Sequence, residues 1–363
     1  MLCDAFCERA IGVAEYRDHR PPGDIIRSIE FPDIGAFDAL HAVGRRRERT
    51  QAIATFAEIL QAPVFPDAAF AREKARLVDA VKEDETKPDA IASKAFYRLL
   101  YGTHPYALAP TRETVLRIER ADVEGFYRAN YVAGRAVVTI LGDADRSLAE
   151  RIAEQLTAGL PRAPGAPAPL PAVNQPTGQT LRMAHPASQS HILIGLPAMT
   201  RDDPDYFPLL VGNYVLGGGG FVSRLYLEVR EKRGYAYSVY SYFLPLAQEG
   251  PFQVGLQTKK EQAEEALARV RIVLDEFLAR GPSAAELKAA KQNLVGGFAL
   301  RIDSNRKLLE QVALIAYYRL PLAWLDDFTA RVAKVSVADV RAAFARRVRA
   351  DHLVTVVVGS GEK

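Results

Sequence analysis

The stretch ADVEGFYRANYVAGRAVVTILGD, Ala121 to Asp143, recurs as ADVRAAFARRVRADHLVTVVVGS, Ala338 to Ser360, at an offset of 217 residues. Each copy reads as a helix carrying Val and Phe on one face, a short turn, and a β-branched strand ending in Gly142 or Gly359. Upstream, ATFAEILQAPVFPDAAFAREKARLVDAV resembles ARVRIVLDEFLARGPSAAELKAAKQNLV, with Pro66 aligned to Pro282 at an offset of 216. Both read as helix pairs. Asp67 and Ser283 are the expected N-caps, and Ser283 with Glu286 spells a capping box. Two matched segments, in one order and at nearly one offset, identify two copies of one unit.

Between the copies lies PRAPGAPAPLPAVNQP, residues 161–176, a Pro- and Ala-rich run without amphipathic period that reads as a semi-rigid extended linker. The expected organisation is a first half over 1–160, a linker over 161–177 and a second half over 178–363. In the second half, strands are predicted at Gln179 to Met183, His191 to Pro197, Tyr235 to Phe243 and Phe252 to Gln257. A helix is predicted from Pro204 to Leu216, with Pro in its first turn and glycines at its end. The order of elements fits an α+β fold with helices on one face of a mostly antiparallel sheet. Subtracting 217 from 178 places the counterpart of these first strands before residue 1, and residues 1–48 do not resemble their counterparts. The first half is expected to be incomplete at its front.

Composition narrows the function classes. In 363 residues, 48% apolar and 25% charged, no apolar run reaches the roughly 20 residues that span a bilayer. Lys+Arg of 47 against Asp+Glu of 44 is too balanced for a chain that lives by neutralising phosphates, so neither a membrane span nor a nucleic acid partner is expected. The basic cluster of Arg45 to Arg47 with Arg49 is interrupted by Glu48 and reads as a solvated segment. Cys3 and Cys7 lack a second pair or a His at zinc-ligand spacing. The N-terminus as written carries charges where an export signal needs an apolar stretch, which reads as cytoplasmic, or periplasmic if the true start lies upstream.

The richest run is LGGGGFVSRLYLEVREKRGYAYSVYSYF, Leu216 to Phe243. Its glycines, Gly217, Gly218, Gly219 and Gly220, lack the Lys-Ser/Thr of a nucleotide loop, and the third glycine of a dinucleotide fingerprint falls on Val222. A helix C-cap with a hinge is the plain reading, and it is compatible with a substrate-facing loop.

Together with YGTHPYALAPTRETVLRIERADVEGFYRANY (Tyr101 to Tyr131) and TRDDPDYFPLLVGNYV (Thr200 to Val215), this run resembles the insulinase or pitrilysin-type zinc metallopeptidase family, over about residues 50–360. The resemblance implies two homologous α/β-sandwich halves closing on an extended peptide, which agrees with the repeat. In that family the two His of an inverted H-x-x-E-H motif and a later Glu hold zinc in the first half, and the motif Glu activates the water. None of the six histidines here has Glu three and His four residues on, and the helix that should carry the motif would fall at about −13 to −1. Counting back from Pro88, the later Glu position is Ala80, which cannot ligate a metal; a register change of one leaves Asp79 nearby, and Glu83 is close. The resemblance thus implies no catalytic residue, no metal ligand and no cofactor in this chain.

What the resemblance retains is the family's second-half Arg/Tyr pair, at Arg230 and Tyr237, which reaches peptide near the scissile bond. Guanidinium donors suit peptide carbonyls and a phenol can donate to an oxyanion. On residues alone, Arg230 is equally a helix-end cation and Tyr237 a strand aromatic. Tyr235, Tyr240 and Tyr242 are expected to alternate across two sheet faces, and Trp324 to anchor helix packing. His104 reads as structural, and His185 and His191 as a surface pair.

The leading expectation is a non-catalytic subunit. It would bind extended peptides by strand addition and lend Arg230, Tyr237 and the glycine loop to a composite site whose zinc sits on a motif-bearing partner. The alternatives are a zinc endopeptidase in its own right, a structural subunit like the core proteins of respiratory complexes, and a gene fragment or frame-shifted product.

Overall fold

The computed structural model describes residues 13–15, 46–162 and 169–359. Cys3, Cys7, His19, His41, Arg45 and residues 163–168 of the linker lie outside the described residues, as do the side chains of Arg46, Arg47 and Arg49. Helices and strands form two compact units, each discontinuous in sequence.

The first unit holds residues up to Arg76, Leu116–Pro169 and Ala299–Leu322. It contains β1 (Val13–Glu15), α1 (Arg46–Gln61), the start of α2 (Asp67–Asp84), α5 (Arg120–Asn130), β2 (Ile140–Gly142), α6 (Arg146–Thr157) and α10 (Asn305–Tyr317). β1 pairs with β2 in parallel. Tyr127 donates its phenol to Leu60 O at 2.6 Å, and Lys74 Nζ donates to Leu116 O and Ile118 O at 2.8 and 2.7 Å. These bonds satisfy carbonyls at helix ends.

The second unit, Leu77–Val115 with Leu170–Phe298 and Ala323–Lys363, is built on a five-stranded sheet. Its strands are β3 (Gln179–Met183), β4 (Gln189–Met199), β5 (Ala236–Phe243), β6 (Gly250–Lys259) and β7 (Val354–Val358), in the order β3-β7-β4-β6-β5. β3 and β7 run parallel and the remaining pairs antiparallel. One face is covered by α7 (Tyr206–Asn213), α8 (Ala263–Arg280) and α12 (Val337–Arg347), where Phe252, Phe277 and Phe344 are fully buried. Trp324, at the start of α11 (Trp324–Lys334), packs its ring 5.3 Å from Phe207 and 5.2 Å from Tyr206.

The opposite face is also covered, which corrects the expectation of helices on one face only. Helix α3 (Pro88–Tyr101) lays Ala92, Phe96, Leu100 and Tyr101 on Val354, Val356 and Val358. The physical reason is written in the run VTVVV: every residue of β7 is buried, and a strand without polar alternation needs cover on both sides. Gly195 in β4 makes room, since a Cβ there would lie 2.9 Å from the tip of the Phe96 ring.

Helix starts follow the sequence repeat closely. At an offset of 217, α1 maps to the start of α8, α2 to the start of α9 (Ala284–Gly296), α3 to α10, and α5 to α12 end to end. Matching capping boxes open the last pair, Glu119 with Asp122 and Ser336 with Asp339, and the Ser283–Glu286 box forms as expected. Asp67 instead enters the helix as its first residue, and its carboxylate accepts from Arg120 at 3.1 Å. The α3/α10 pair is exchanged between units. α3, from the first half of the chain, belongs to the second unit, and its repeat counterpart α10 belongs to the first.

Residues 170–178 run as a strap tied into the second unit. His104 donates to Pro171 O (3.0 Å), Gln175 to Pro197 O (3.1 Å) and His352 to Pro176 O (2.6 Å), while Gly178 N donates to Asp351 O (2.9 Å). Among the described residues no helix is long and apolar enough to cross a membrane.

Candidate functional site

The Arg230–Tyr237 region lies in the second unit, between the end of α7 and the edge strand β5. At the start of α7, two buried carboxylates meet two arginines. Arg346 and Arg347 both bond Asp205, and Arg347 bonds Asp203 at 3.0 Å. The Arg346 bond holds the Asp205 carboxyl below its ordinary range, whereas burial pushes Asp203 up. With both carboxylates engaged, Pro204 stays in the turn and the helix starts at Tyr206, two residues later than expected.

The helix then loosens into a wider turn over Tyr214–Gly218. Each glycine has its own reason. A Cβ on Gly217 would meet Ser241 N at 2.5 Å, one on Gly218 would meet Asn213 Nδ2 at 2.5 Å, and one on Gly219 would meet Tyr214 O at 2.5 Å. Gly220 is open in space but has φ of 61°, which an L side chain resists. Asn213 fastens the loop to β5, donating to Ser241 O at 3.0 Å and accepting from Ser241 Oγ at 2.7 Å. Gly217 is buried, while Gly218 and Gly220 are exposed.

Arg230 sits at the end of a second loosened turn, Tyr226–Glu231. Its guanidinium lies over the Tyr226 ring and over the Tyr237 ring, 4.8 Å from each centroid. Among the described residues no carboxylate forms an ion pair with it. A stacked guanidinium keeps its N–H donors at its rim, free for planar acceptors. Tyr237 is 82% exposed.

A bulge in β5 gives Tyr237 that exposure. Ala236 pairs with Thr258 and Val239 with Leu256, so Tyr237 and Ser238 together oppose Gln257. Both point outward, and the alternation then resumes with Val239 and Ser241 buried. Tyr240 and Tyr242, two residues apart, share one face as strand alternation requires, stacked at 6.0 Å and 13°, with the Tyr240 ring over Gly255. Tyr235 precedes the strand.

Sequence reasoning missed the groups that fix this segment. Glu228 accepts from Lys232 at 2.5 Å, from Arg233 at 3.1 Å and from Arg269 of α8, and its carboxyl is lowered to about 2, chiefly by the Lys232 bond. Arg224 grips Glu286 in a two-pronged pair at 2.7 Å, which lowers that carboxyl to about 2, and also donates to Gly281 O at 3.0 Å. Tyr226 was legible, standing four residues before Arg230 on a helical turn. The pairings of Arg269 with Glu228 and of Glu286 with Arg224 were not, because the partners lie 41 and 62 residues apart.

Ala80 is exposed on α2, as are Asp79 and Glu83. Among the described residues no three His, Cys, Asp or Glu side chains gather where they could hold a metal ion, so these residues do not fit zinc. His104 accepts the Tyr106 N–H on Nδ1, which leaves Nε2–H to donate to the strap. His185 does the same between Ala187 N–H and Thr86 O. His191 is half-buried, and burial pushes its pKa down.

Residues 117–294 match the family model described as the peptidase M16 inactive domain. The solved structure of a peptidase M16 inactive domain from Pseudomonas fluorescens is 37% identical with a TM-score of 0.84, covering 87% of this chain and 76% of that one. An uncharacterized zinc protease of Streptomyces coelicolor is 29% identical over 287 residues, 74% of this chain and 60% of the relative. The mitochondrial-processing peptidase subunit beta of Blastocladiella emersonii is 25% identical over 277 residues, 72% of this chain and 58% of the relative. The chain thus spans about three fifths of the length of these two curated relatives.

Proposed function

Because this chain belongs to the peptidase M16 family, through its inactive domain, we propose that it is a non-catalytic subunit that binds extended peptides. In this reading it contributes Arg230 and Tyr237 to a composite site completed by a motif-bearing partner of the same family. Zinc, when bound on that partner, supplies the polarising charge and the activated water. This chain's own residues hold and orient the peptide. Arg230 offers in-plane donors to backbone carbonyls, and the exposed Tyr237 phenol offers a proton to an oxygen that gains charge.

The observation that carries the reading is the guanidinium of Arg230 resting over Tyr226 and Tyr237 with no carboxylate of the described residues neutralising it. An arginine kept only for stability would be expected to meet an acid, as Arg224 meets Glu286. An alanine at position 80, where the family's later Glu falls, supports the non-catalytic role. The likeness to a subunit of a processing peptidase supports a hetero-oligomer.

The test is peptide cleavage by this chain co-expressed with a motif-bearing family partner. Arg230→Ala combined with Tyr237→Phe is expected to reduce cleavage by about 100-fold or more, the scale of removing a transition-state donor. Equal cleavage by the wild type and the double variant would refute the proposal. Stoichiometric zinc and chelator-sensitive cleavage in the isolated chain would instead establish a peptidase in its own right.

A further inference from the structure

Arg230 belongs to a longer stack than the Arg/Tyr pair. The Phe221 ring stands 5.0 Å from Tyr226 at 80°, Tyr226 lies under Arg230, and Arg230 lies over Tyr237. At the outer end of this ladder Phe221 is 73% and Val222 65% exposed. A turn holds them there. Gly220 takes the left-handed angle, and Ser223 returns to Gly220 O through both its hydroxyl (2.8 Å) and its N–H (3.1 Å). Isolated exposed apolar residues are ordinary on protein surfaces. Here both residues are fixed on a tied turn, and Phe221 is joined through the Tyr226 ring to a guanidinium that no carboxylate of the described residues neutralises.

We propose that Phe221 and Val222 form the apolar half of the peptide site, so that the chain selects extended peptides with a large aliphatic or aromatic side chain beside the backbone that Arg230 meets. This rests on the peptide-binding reading above. The chemistry divides cleanly. The guanidinium rim recognises backbone carbonyls, which every peptide has, and so gives affinity without selectivity. Phe221 and Val222 offer only apolar area, which rewards one side-chain class and penalises a charged one. An extended chain turns alternate side chains to one face, so the residue next to the held carbonyl can reach the turn.

The experiment measures binding, not cleavage, on the full chain. Short fluorescein-labelled peptides identical except for a central Leu, Phe, Ser or Asp are titrated by fluorescence anisotropy against wild type, Phe221→Ser with Val222→Ser, and Arg230→Ala. Wild type is expected to bind the Leu and Phe peptides about 10-fold or more tighter than the Ser and Asp peptides, the discrimination that apolar contacts supply. The double variant should still bind, with that ratio reduced to near one. Arg230→Ala should weaken all the peptides by a similar factor. Both variants change exposed or half-exposed groups, and circular dichroism checks that they fold. A preference retained in the double variant, or wild-type binding without preference, overturns this proposal alone. Failure of wild type to bind any of the peptides overturns the peptide-binding reading itself. A change of sedimenting mass in the double variant with preference intact would make the turn a self-association surface and also overturn the proposal.

Discussion

Phe96 lies in the first half of the chain, yet its substitution should destabilise the second unit. Its side chain is fully buried, with the ring tip close to Gly195 and its helix on Val354, Val356 and Val358. Truncation to Ala removes apolar contacts and leaves a cavity, because the backbone of Gly195 cannot extend to fill it. Such changes cost about 3–5 kcal/mol. Against the 5–15 kcal/mol that stabilises a typical domain, that is a large share. At roughly 2–4 °C per kcal/mol for a unit of this size, melting should fall by about 6–20 °C. The assay is urea unfolding paired with hydrogen exchange at the amides of β7. Exchange at Val354 to Val358 should accelerate with the global loss, while Phe126→Ala, at a 63% exposed position, should change stability by about 0.5 kcal/mol or less. Phe96→Leu, expected to cost about 1–2 kcal/mol, keeps the measurement possible if the alanine variant fails to fold. Unchanged protection in β7 would refute the reasoning that α3 is an essential cover of this sheet.

Other outcomes follow from the site. Glu228 and Glu286 titrate near 2 in the folded chain against 4.5 unperturbed, so their ion pairs stabilise fully above about pH 4.5 and are lost as pH falls toward 2. Acid unfolding of Glu228→Gln with Glu286→Gln should show a shallower pH dependence across that window; an unchanged slope would contradict it. Gly217→Ala should destabilise more than Gly220→Ala, because the first drives a Cβ into Ser241 while the second meets only backbone strain of about 1 kcal/mol; chemical denaturation ranks the two. Arg230→Lys should retain the charge but lose the planar fork, so peptide affinity measured by anisotropy should drop toward that of Arg230→Ala rather than stay near wild type.

Much of the scaffold was legible because it is written twice. The second occurrence of each helix start confirmed the first, whereas the two-sided burial of VTVVV went unread and left helices expected on one face only. Two departures share one cause: a side chain that would act locally was recruited from afar. Asp205 leaves its helix uncapped because Arg346 and Arg347 hold its carboxylate, and Asp67 was drawn to Arg120 in the same way. The β5 bulge was hidden because AYSVYSYF alternates well enough on paper; only pairing with β6 reveals the extra residue that turns Tyr237 outward. Arg230, Tyr237 and the glycines were found through family resemblance, whereas Asn213, Ser241 and Glu228, which hold them in place, become visible only in three dimensions.

The exchange of α3 and α10 also sets a timetable for synthesis. α3 leaves the ribosome about 90 residues before β4 begins and some 250 residues before β7, which at about 5–20 residues per second is a wait of roughly 13–50 s for its last partner. Until β7 emerges, Phe96 and Leu100 lack the Val354, Val356 and Val358 side chains on which they pack. The nascent chain must carry a partly uncovered apolar helix face until its final strand arrives. A ribosome that stops short of Val354 releases a product whose unsatisfied surface lies near its beginning, far from the point of truncation.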